Sequence, residues 1–429
     1  MILTYEYKLY LNATQAATFE SWLRTCCTIY NRALEQRIKA YKRRGESVTY
    51  NQQQSLLTEQ RAKIENLRLV PVAFERDALR RVDRGFAAFF RRLKAKQKPG
   101  FPRFRSWRRY TSLEYAAVGT YATDGFIRVP GMGKVKSRGR DVRFGKQKIL
   151  RILRKPSGWY AQVVIDDWQA IQPKLPVTKA IGIDVGLTHF ATLSTGEKVD
   201  NPRCGQKSLR KLKFCQRRLA RCQRHSKNRR KAVNRVARCH ERIAAQRKDF
   251  AHQLSTRLVR QFDLIAFENL NILGMVRNRS LARSIYDAAW GMFANFIAYK
   301  AESARRYAVG VHAPGTSQEC PWCGTIKAKS LSERIHRCSC RPGVEIDRDH
   351  ASATVILARA LAATGVKPAE GMTSTESHCA DRQVGPMKQE LVLMSQVSNC
   401  QIKANFCMHC GSTTPRFCKC QDDETAQFS

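Results

Sequence analysis

The chain has 429 residues and carries 77 Lys+Arg against 35 Asp+Glu, a formal net charge of +42. Apolar residues make up 43%, including 19 Phe, 13 Tyr and 6 Trp, which excludes a disordered basic tail and allows about three domains with real cores. Charge of this size repels itself in a compact fold unless a polyanion neutralises it, so a long nucleic acid is the expected partner and a membrane surface the weaker one.

Residues 1–12 alternate polar and apolar, with Tyr5, Tyr7, Leu9 and Leu11 at period two, and predict a strand rather than a signal peptide. No run approaches about 18 apolar residues, so no membrane span is expected, and a cytoplasmic, nucleoid-associated protein follows. Asn12 with Gln15 three residues on predicts a capping box. The helix it opens carries Phe19, Trp22, Leu23, Cys26, Ile29, Tyr30 and Leu34 on one face. Further helices are predicted over 50–64 and 76–93, with Arg-rich exposed faces.

In residues 98–109, KPGFPRFRSWRR, the prolines and glycine forbid a helix. Phe101, Phe104 and Trp107 interleave with Arg103, Arg105, Arg108 and Arg109. That pattern suits a nucleic-acid surface, and equally a loop with its rings inward and its guanidinium groups outward. Residues 112–167 are strand-like and predict a small sheet or barrel, to which the first segment adds a strand. Pro173 and Pro176 mark a linker.

The run 179–193, KAIGIDVGLTHFATL, predicts a buried strand, a turn and a second strand. Residues 203–248 hold 18 Lys/Arg and one acid, Glu241. Leu212, Cys215, Leu219 and Cys222 recur there at heptad spacing, which predicts a packed helix face with both cysteines in a core. A short buried strand over 264–270, a helix over 284–306, a strand over 308–311 and a helix over 349–363 complete the pattern.

Three acids stand at informative places. Asp184 follows Ala180-Ile181-Gly182-Ile183, Glu268 ends Leu264-Ile265-Ala266-Phe267, and Asp349 opens a helix. Carboxylates at the ends of buried strands cost several kcal/mol unless compensated, which suggests a shared divalent metal. Phosphodiester cleavage needs such a site: two Mg²⁺ ions about 3.5–4 Å apart activate water and stabilise the leaving oxygen. Asp347 competes with Asp349 for the third position, and each acid has an alternative reading as a turn or cap residue.

Cys320, Cys323, Cys338 and Cys340 read as C-x2-C-x14-C-x-C, a four-thiolate zinc knuckle with Gly324 at its turn and His336 as an alternative ligand. Cys407, Cys410, Cys418 and Cys420 suggest either a second zinc knuckle or a thiol-rich tail.

Several stretches together carry a resemblance: YKLYLNATQ, KPGFPRFR, GIDVGLTHFATL, RKDFAHQLSTRLV, IAFENL, SLARSIYDAAWGMF, TSQECPWCG and IDRDHASA. Over residues 1–365 the chain resembles TnpB, the transposon-encoded RNA-guided DNA nuclease related to type V CRISPR effectors. The resemblance implies an α/β multidomain protein with an RNase H-like (RuvC) nuclease domain, an inserted zinc ribbon and a β-barrel-like wedge carrying a helical recognition insertion. It implies a wedge over 1–11 and 106–172, a recognition domain over 12–105 and a RuvC-like domain over 178–312 and 343–366. The ribbon falls at 313–342 and a tail at 367–429.

The implied catalytic acids are Asp184, Glu268 and Asp349, holding two Mg²⁺, with Zn²⁺ on the four cysteines near Cys320. The implied partners are a guide RNA and double-stranded target DNA beside a short adjacent motif, read by Tyr50, Gln54, Arg76 and Arg80. Two departures stand out: Ala351 where the family usually has Asn, and C-x-C in place of the second C-x-x-C. An RNA-guided repressor without cleavage, a type V CRISPR effector and a DNA-joining transposase are the alternatives.

Overall fold

The computed structural model describes residues 2–139, 145–166, 173–330 and 332–365. The Cys407, Cys410, Cys418 and Cys420 set and the 367–429 tail lie outside the described residues. The chain divides into two units, Met1–Ile171 and Gln172–Ser429.

The first unit begins with β1 (Ile2–Tyr10), whose alternation buries Tyr7 and Leu9. Helix α1 (Ala13–Arg44) starts at the expected capping box on Asn12 and ends at Gly45, in left-handed backbone with φ 65°. Then come α2 (Tyr50–Lys63), α3 (Glu65–Arg68), α4 (Val72–Lys94), β2 (Ser112–Ala116), β3 (Ala122–Thr123), β4 (Phe126–Val129), β5 (Gly133–Arg138), β6 (Lys146–Lys155) and β7 (Gly158–Asp166). All pairings are antiparallel, in the order β2-β6-β7-β1-β5-β4-β3, so the first segment does join the later strands. Of the sheet or barrel expected, the described residues form a sheet with β2 and the two-residue β3 at its ends. Phe19, Trp22, Leu23 and Phe74 of the helices pack with Ile127, Leu150, Ile152 and Val163 of the strands into one core.

The second unit holds β8 (Ala180–Val185), β9 (His189–Leu193), β10 (Lys198–Asp200), α5 (Cys204–Lys207), α6 (Leu209–Ala220), α7 (Lys227–Gln261), β11 (Leu264–Glu268), α8 (Ile272–Met275), α9 (Arg279–Ala288), α10 (Trp290–Ser303), β12 (Tyr307–Val311), β13 (Ile335–Arg337), β14 (Glu345–Asp347) and α11 (Arg348–Thr364). Its main sheet runs β10-β9-β8-β11-β12. Strands β8, β11 and β12 are parallel, and β9 is antiparallel to β8 and β10. AIGI and LIAF are unbroken apolar runs because helices cover both faces of these strands.

Alternation along the strands assigns the faces. Ile181, Ile183, Ile265 and Phe267 meet Leu254 and Leu258 of α7 and Phe293 and Ile297 of α10. Ala180, Leu264 and Ala266 meet Ile356 and Ala360 of α11. Gly182 lies on the α11 side, where an added Cβ would overlap the Ala353 carbonyl oxygen and come within 2.9 Å of the Leu357 Cβ. The missing side chain is what seats α11 directly on the strand.

Two local expectations change. The single helix expected over 284–306 is two helices, broken at Ala289, which adopts a left-handed φ of 57° and donates its N–H to the Ile285 carbonyl. The face of α6 that was to form a core has no fully buried residue. Cys215 is half-buried with its Sγ 3.7 Å from that of Cys239, and the half-buried Cys222 donates to the Arg218 carbonyl. The 12-residue α6 rests mainly on α7, with a smaller contact to α5, which leaves its apolar face only partly covered.

Candidate metal and nucleic-acid sites

The same alternation that puts Gly182 and Ala266 toward α11 puts Asp184 and Glu268 there. The parallel register pairs Phe267 with Ile183, so the next residue on each strand is an acid and the two stand side by side. Both lie at the carboxyl ends of parallel strands, where open α/β sheets bind ligands. Asp349 enters from the first turn of α11.

Burial is the main cause that pushes the Asp184 carboxyl well above its usual range, and the charges of Glu268 and then Asp349 push it the same way. A hydrogen bond from Ser352 and the nearby Arg348 oppose this. Burial also raises Glu268, against a hydrogen bond from Thr316 and the charge of Arg359. Asp347 plays the other role that the sequence left open: its carboxylate caps α11 by accepting from the Asp349 and His350 N–H groups. It also pairs with Lys198 at 2.9 Å, and is held below the usual range. Ala351 is buried in α11. Sequence reasoning missed Ser352, Thr316 and Arg359. Ser352 had a weak signal, three positions beyond Asp349 on a helix, and Thr316 and Arg359 had none.

The donor set suits a hard divalent cation: three carboxylates, two of them raised chiefly by burial. Among the described residues, only the four cysteines gather three or more ligand atoms all within 4.8 Å of one another. The acids are therefore spaced more openly than the thiols.

Cys320, Cys323, Cys338 and Cys340 form that tight group. Sγ separations are 3.7 Å for Cys320–Cys340 and 3.5 Å for Cys323–Cys338. Tetrahedral Zn–S bonds of ~2.3 Å place sulfurs about 3.8 Å apart, so the group fits zinc despite the shortened C-x-C. Gly324 makes the turn after Cys323 with φ 75°. A hydrogen bond with the Thr325 hydroxyl is the main cause that draws the Cys323 thiol down to about 6. His336 is not in the group; it is buried with its Nδ1 on Lys329 Nζ and its ring 5.9 Å from that of Trp322.

In the first unit, the Tyr50 hydroxyl accepts from Arg80 Nε at 3.3 Å, which joins α2 to α4. Gln54 and Arg76 are half-buried on the same two helices. Arg103 and Arg105 are exposed on the loop that follows α4. The Arg105 backbone exchanges two hydrogen bonds with the Asn31 side chain, at 2.8 and 2.9 Å, and its guanidinium lies 5.2 Å from the Tyr30 ring. Phe101 and Phe104 are 50% and 58% exposed, which rules out the reading with all rings inward.

Three family models match the chain: a helix-turn-helix domain over residues 1–46, a probable transposase over 162–279 and a Cas12f1-like TNB domain over 290–356. The first of these spans forms one strand and one long helix here. A Streptomyces pristinaespiralis protein named "Putative RNA-guided DNA endonuclease" is 32% identical over 384 residues, covering 85% of this chain and 92% of the relative. An Escherichia coli K12 relative named "Putative RNA-guided DNA endonuclease InsQ" is 26% identical over 353 residues, covering 78% of this chain and 86% of its own.

A cryo-EM structure of a Cas12f1–sgRNA–target DNA complex matches with TM-score 0.54 at 13% identity, covering 81% of this chain and 83% of that one, a likeness of fold. A mixed α/β protein with a carboxylate cluster and a separate four-thiol cluster is thus the class that fold and sites define. The chain belongs to the TnpB family.

Proposed function

We propose that this protein is an RNA-guided, Mg²⁺-dependent DNA endonuclease that cuts double-stranded target DNA next to a short adjacent motif. The observation that carries this reading is the meeting of Asp184, Glu268 and Asp349 on the α11 face of the second unit's sheet. These three would hold two Mg²⁺ ions, which when bound activate water and neutralise charge on the scissile phosphate. Ser352 and Thr316 orient the Asp184 and Glu268 carboxylates. The 18 Lys/Arg of residues 203–248 supply cation density for phosphate backbones.

In this reading residues 178–312 and 343–366 form an RNase H-like RuvC domain, and 313–342 a zinc ribbon that holds one Zn²⁺ on its four cysteines. Residues 1–11 with 106–172, and 12–105, form the wedge and recognition domains. Tyr50, Gln54, Arg76, Arg80, Arg103 and Arg105 contact guide RNA or the adjacent motif, while base pairing with the guide supplies sequence specificity. The names of the two relatives support the guide and the DNA substrate. No helix among the described residues is long and apolar enough to cross a membrane, in keeping with work on chromosomal DNA in a prokaryotic cytoplasm.

The test is to purify the protein from its host, sequence the RNA that comes with it, and measure plasmid cleavage by that complex with Mg²⁺. Cleavage that depends on the RNA and on Asp184 supports the reading; cleavage that survives Asp184→Ala, or that needs no RNA, overturns it.

A further inference from the structure

Between β12 and the cysteine cluster the chain makes a short strap, residues 312–319, that touches both metal-binding candidates. Thr316 is 4% exposed, and its hydroxyl reaches the Glu268 Oε1. Four residues on, Cys320 opens the thiol cluster. The strap is tied to α11, the helix that carries Asp349. Arg359 Nε and Nη2 donate to Glu319 Oε2 at 3.0 and 2.8 Å, and its Nη1 donates to the His312 and Pro314 carbonyls at 2.8 and 3.1 Å. A turn at Gly315, with φ 82°, receives the N–H groups of Gln318 and Glu319, both at 3.0 Å. The strap is tied to the cysteine loop as well: the Lys327 N–H donates to the Gln318 carbonyl at 3.0 Å and Lys329 Nζ to the Ser317 carbonyl at 3.2 Å.

We propose that Thr316 is a positioning residue for Glu268, and that metal binding at the four cysteines holds the strap so that the Thr316 hydroxyl meets the Glu268 carboxylate. The inference rests on the proposed reading of Asp184, Glu268 and Asp349 as a cation site. A hydrogen-bond partner fixes which oxygen of a carboxylate is free to ligate, and a partner carried on a closed zinc knuckle cannot drift. The knuckle would then serve the acidic site at a distance of four residues, besides folding its own loops.

The experiment compares the RNA complexes of the unsubstituted protein, Thr316→Val, Thr316→Ser, Cys323→Ser and Glu268→Gln. Three quantities are read: Mn²⁺ affinity by electron paramagnetic resonance, cleavage rate against Mg²⁺ concentration, and zinc content. Thr316→Val weakens Mn²⁺ binding about tenfold and raises the Mg²⁺ requirement in step, while Thr316→Ser stays within about twofold of the unsubstituted protein. Zinc content is unchanged in both. Cys323→Ser loses zinc and weakens Mn²⁺ binding in the same direction as Thr316→Val. Unchanged Mn²⁺ affinity in Thr316→Val beside a Glu268→Gln that loses cleavage overturns the inference while the acidic site stands. A Thr316→Val that also loses zinc overturns it too, since Thr316 would then serve the knuckle's own fold. Normal Mn²⁺ affinity in zinc-free Cys323→Ser overturns the role of the knuckle. A Glu268→Gln that cuts normally overturns the cation-site reading, and the inference with it.

Discussion

The carboxylate group and the thiol cluster are the two candidate cation sites of the second unit, and they are built differently. The four thiols come from two short segments 20 residues apart at their extremes, and their sulfurs lie within 4.8 Å of one another. The three carboxylates come from two neighbouring strands and a helix, 84 and 81 residues apart in turn, and they stand more openly. A closed tetrahedral set encloses one ion and serves structure, whereas an open set of hard oxygens leaves room for water and phosphate and suits chemistry. The thiol cluster is set by local spacing. The carboxylate site depends on the sheet register and on how closely α11 sits against β8.

The largest effect tests the open site itself. Asp184→Ala is expected to slow guide-dependent plasmid cleavage by at least about 10³-fold, roughly 4 kcal/mol of barrier, while leaving RNA binding and thermal stability nearly unchanged. Cleavage assays and filter binding on one preparation check both halves.

Next, Gly182→Val attacks the seating of α11 without touching an acid. With the Ala353 carbonyl and Leu357 in the way, overpacking should destabilise the second unit by about 3 kcal/mol. Chemical denaturation should find that loss, and the Mg²⁺ requirement for cleavage should rise. If cleavage is unaffected, the close helix–strand contact does not set the acids.

Cys320→Ser tests the closed site. It should abolish stoichiometric zinc and lower the melting temperature by about 5 °C, roughly 2 kcal/mol for a unit of this size. Zinc analysis and calorimetry measure this, and a variant that retains zinc would return His336 to consideration as a ligand.

The smallest effect lies in the first unit. Burial raises Glu75 from the ordinary 4.5 to about 7, although Arg61 opposes it with an ion pair. A raised folded value means that the folded state binds the proton more tightly than the unfolded chain. The stabilisation it contributes is present in full below about 4.5 and is lost as the pH rises through about 7. Denaturation at pH 5.5 and pH 8 should show this component, and Glu75→Gln should reduce the difference between the two.

Much of this was legible in the sequence. The capping box at Asn12, the strand–turn–strand expected over 179–193 and the cysteine spacing are local, and the structure carries each. The three acids could be singled out because each follows or opens a recognisable apolar run. The break at Ala289 could not, because a non-glycine residue in left-handed backbone leaves no mark in the pattern. Residue pattern alone left Asp347 and Asp349 open, and only the resemblance named Asp349, since a cap and a ligand are the same residue type until the helix start is placed. The half-exposed rings of Phe101 and Phe104 needed coordinates for the same reason: alternation of ring and cation fits either face.

What the sequence determined by itself is therefore the set of short-range elements and the chemical identity of both donor sets. Caps, turns, periodicity and metal-ligand spacing act within a few residues, where the covalent chain fixes geometry. Only the tertiary structure decided that Asp184 and Glu268 share the face covered by α11, that Asp347 caps that helix while the charge of Asp349 acts on Asp184, and that the Thr316 hydroxyl bonds Glu268. Those outcomes depend on strand register and on the space left by Gly182, and both are settled by packing between segments far apart along the chain.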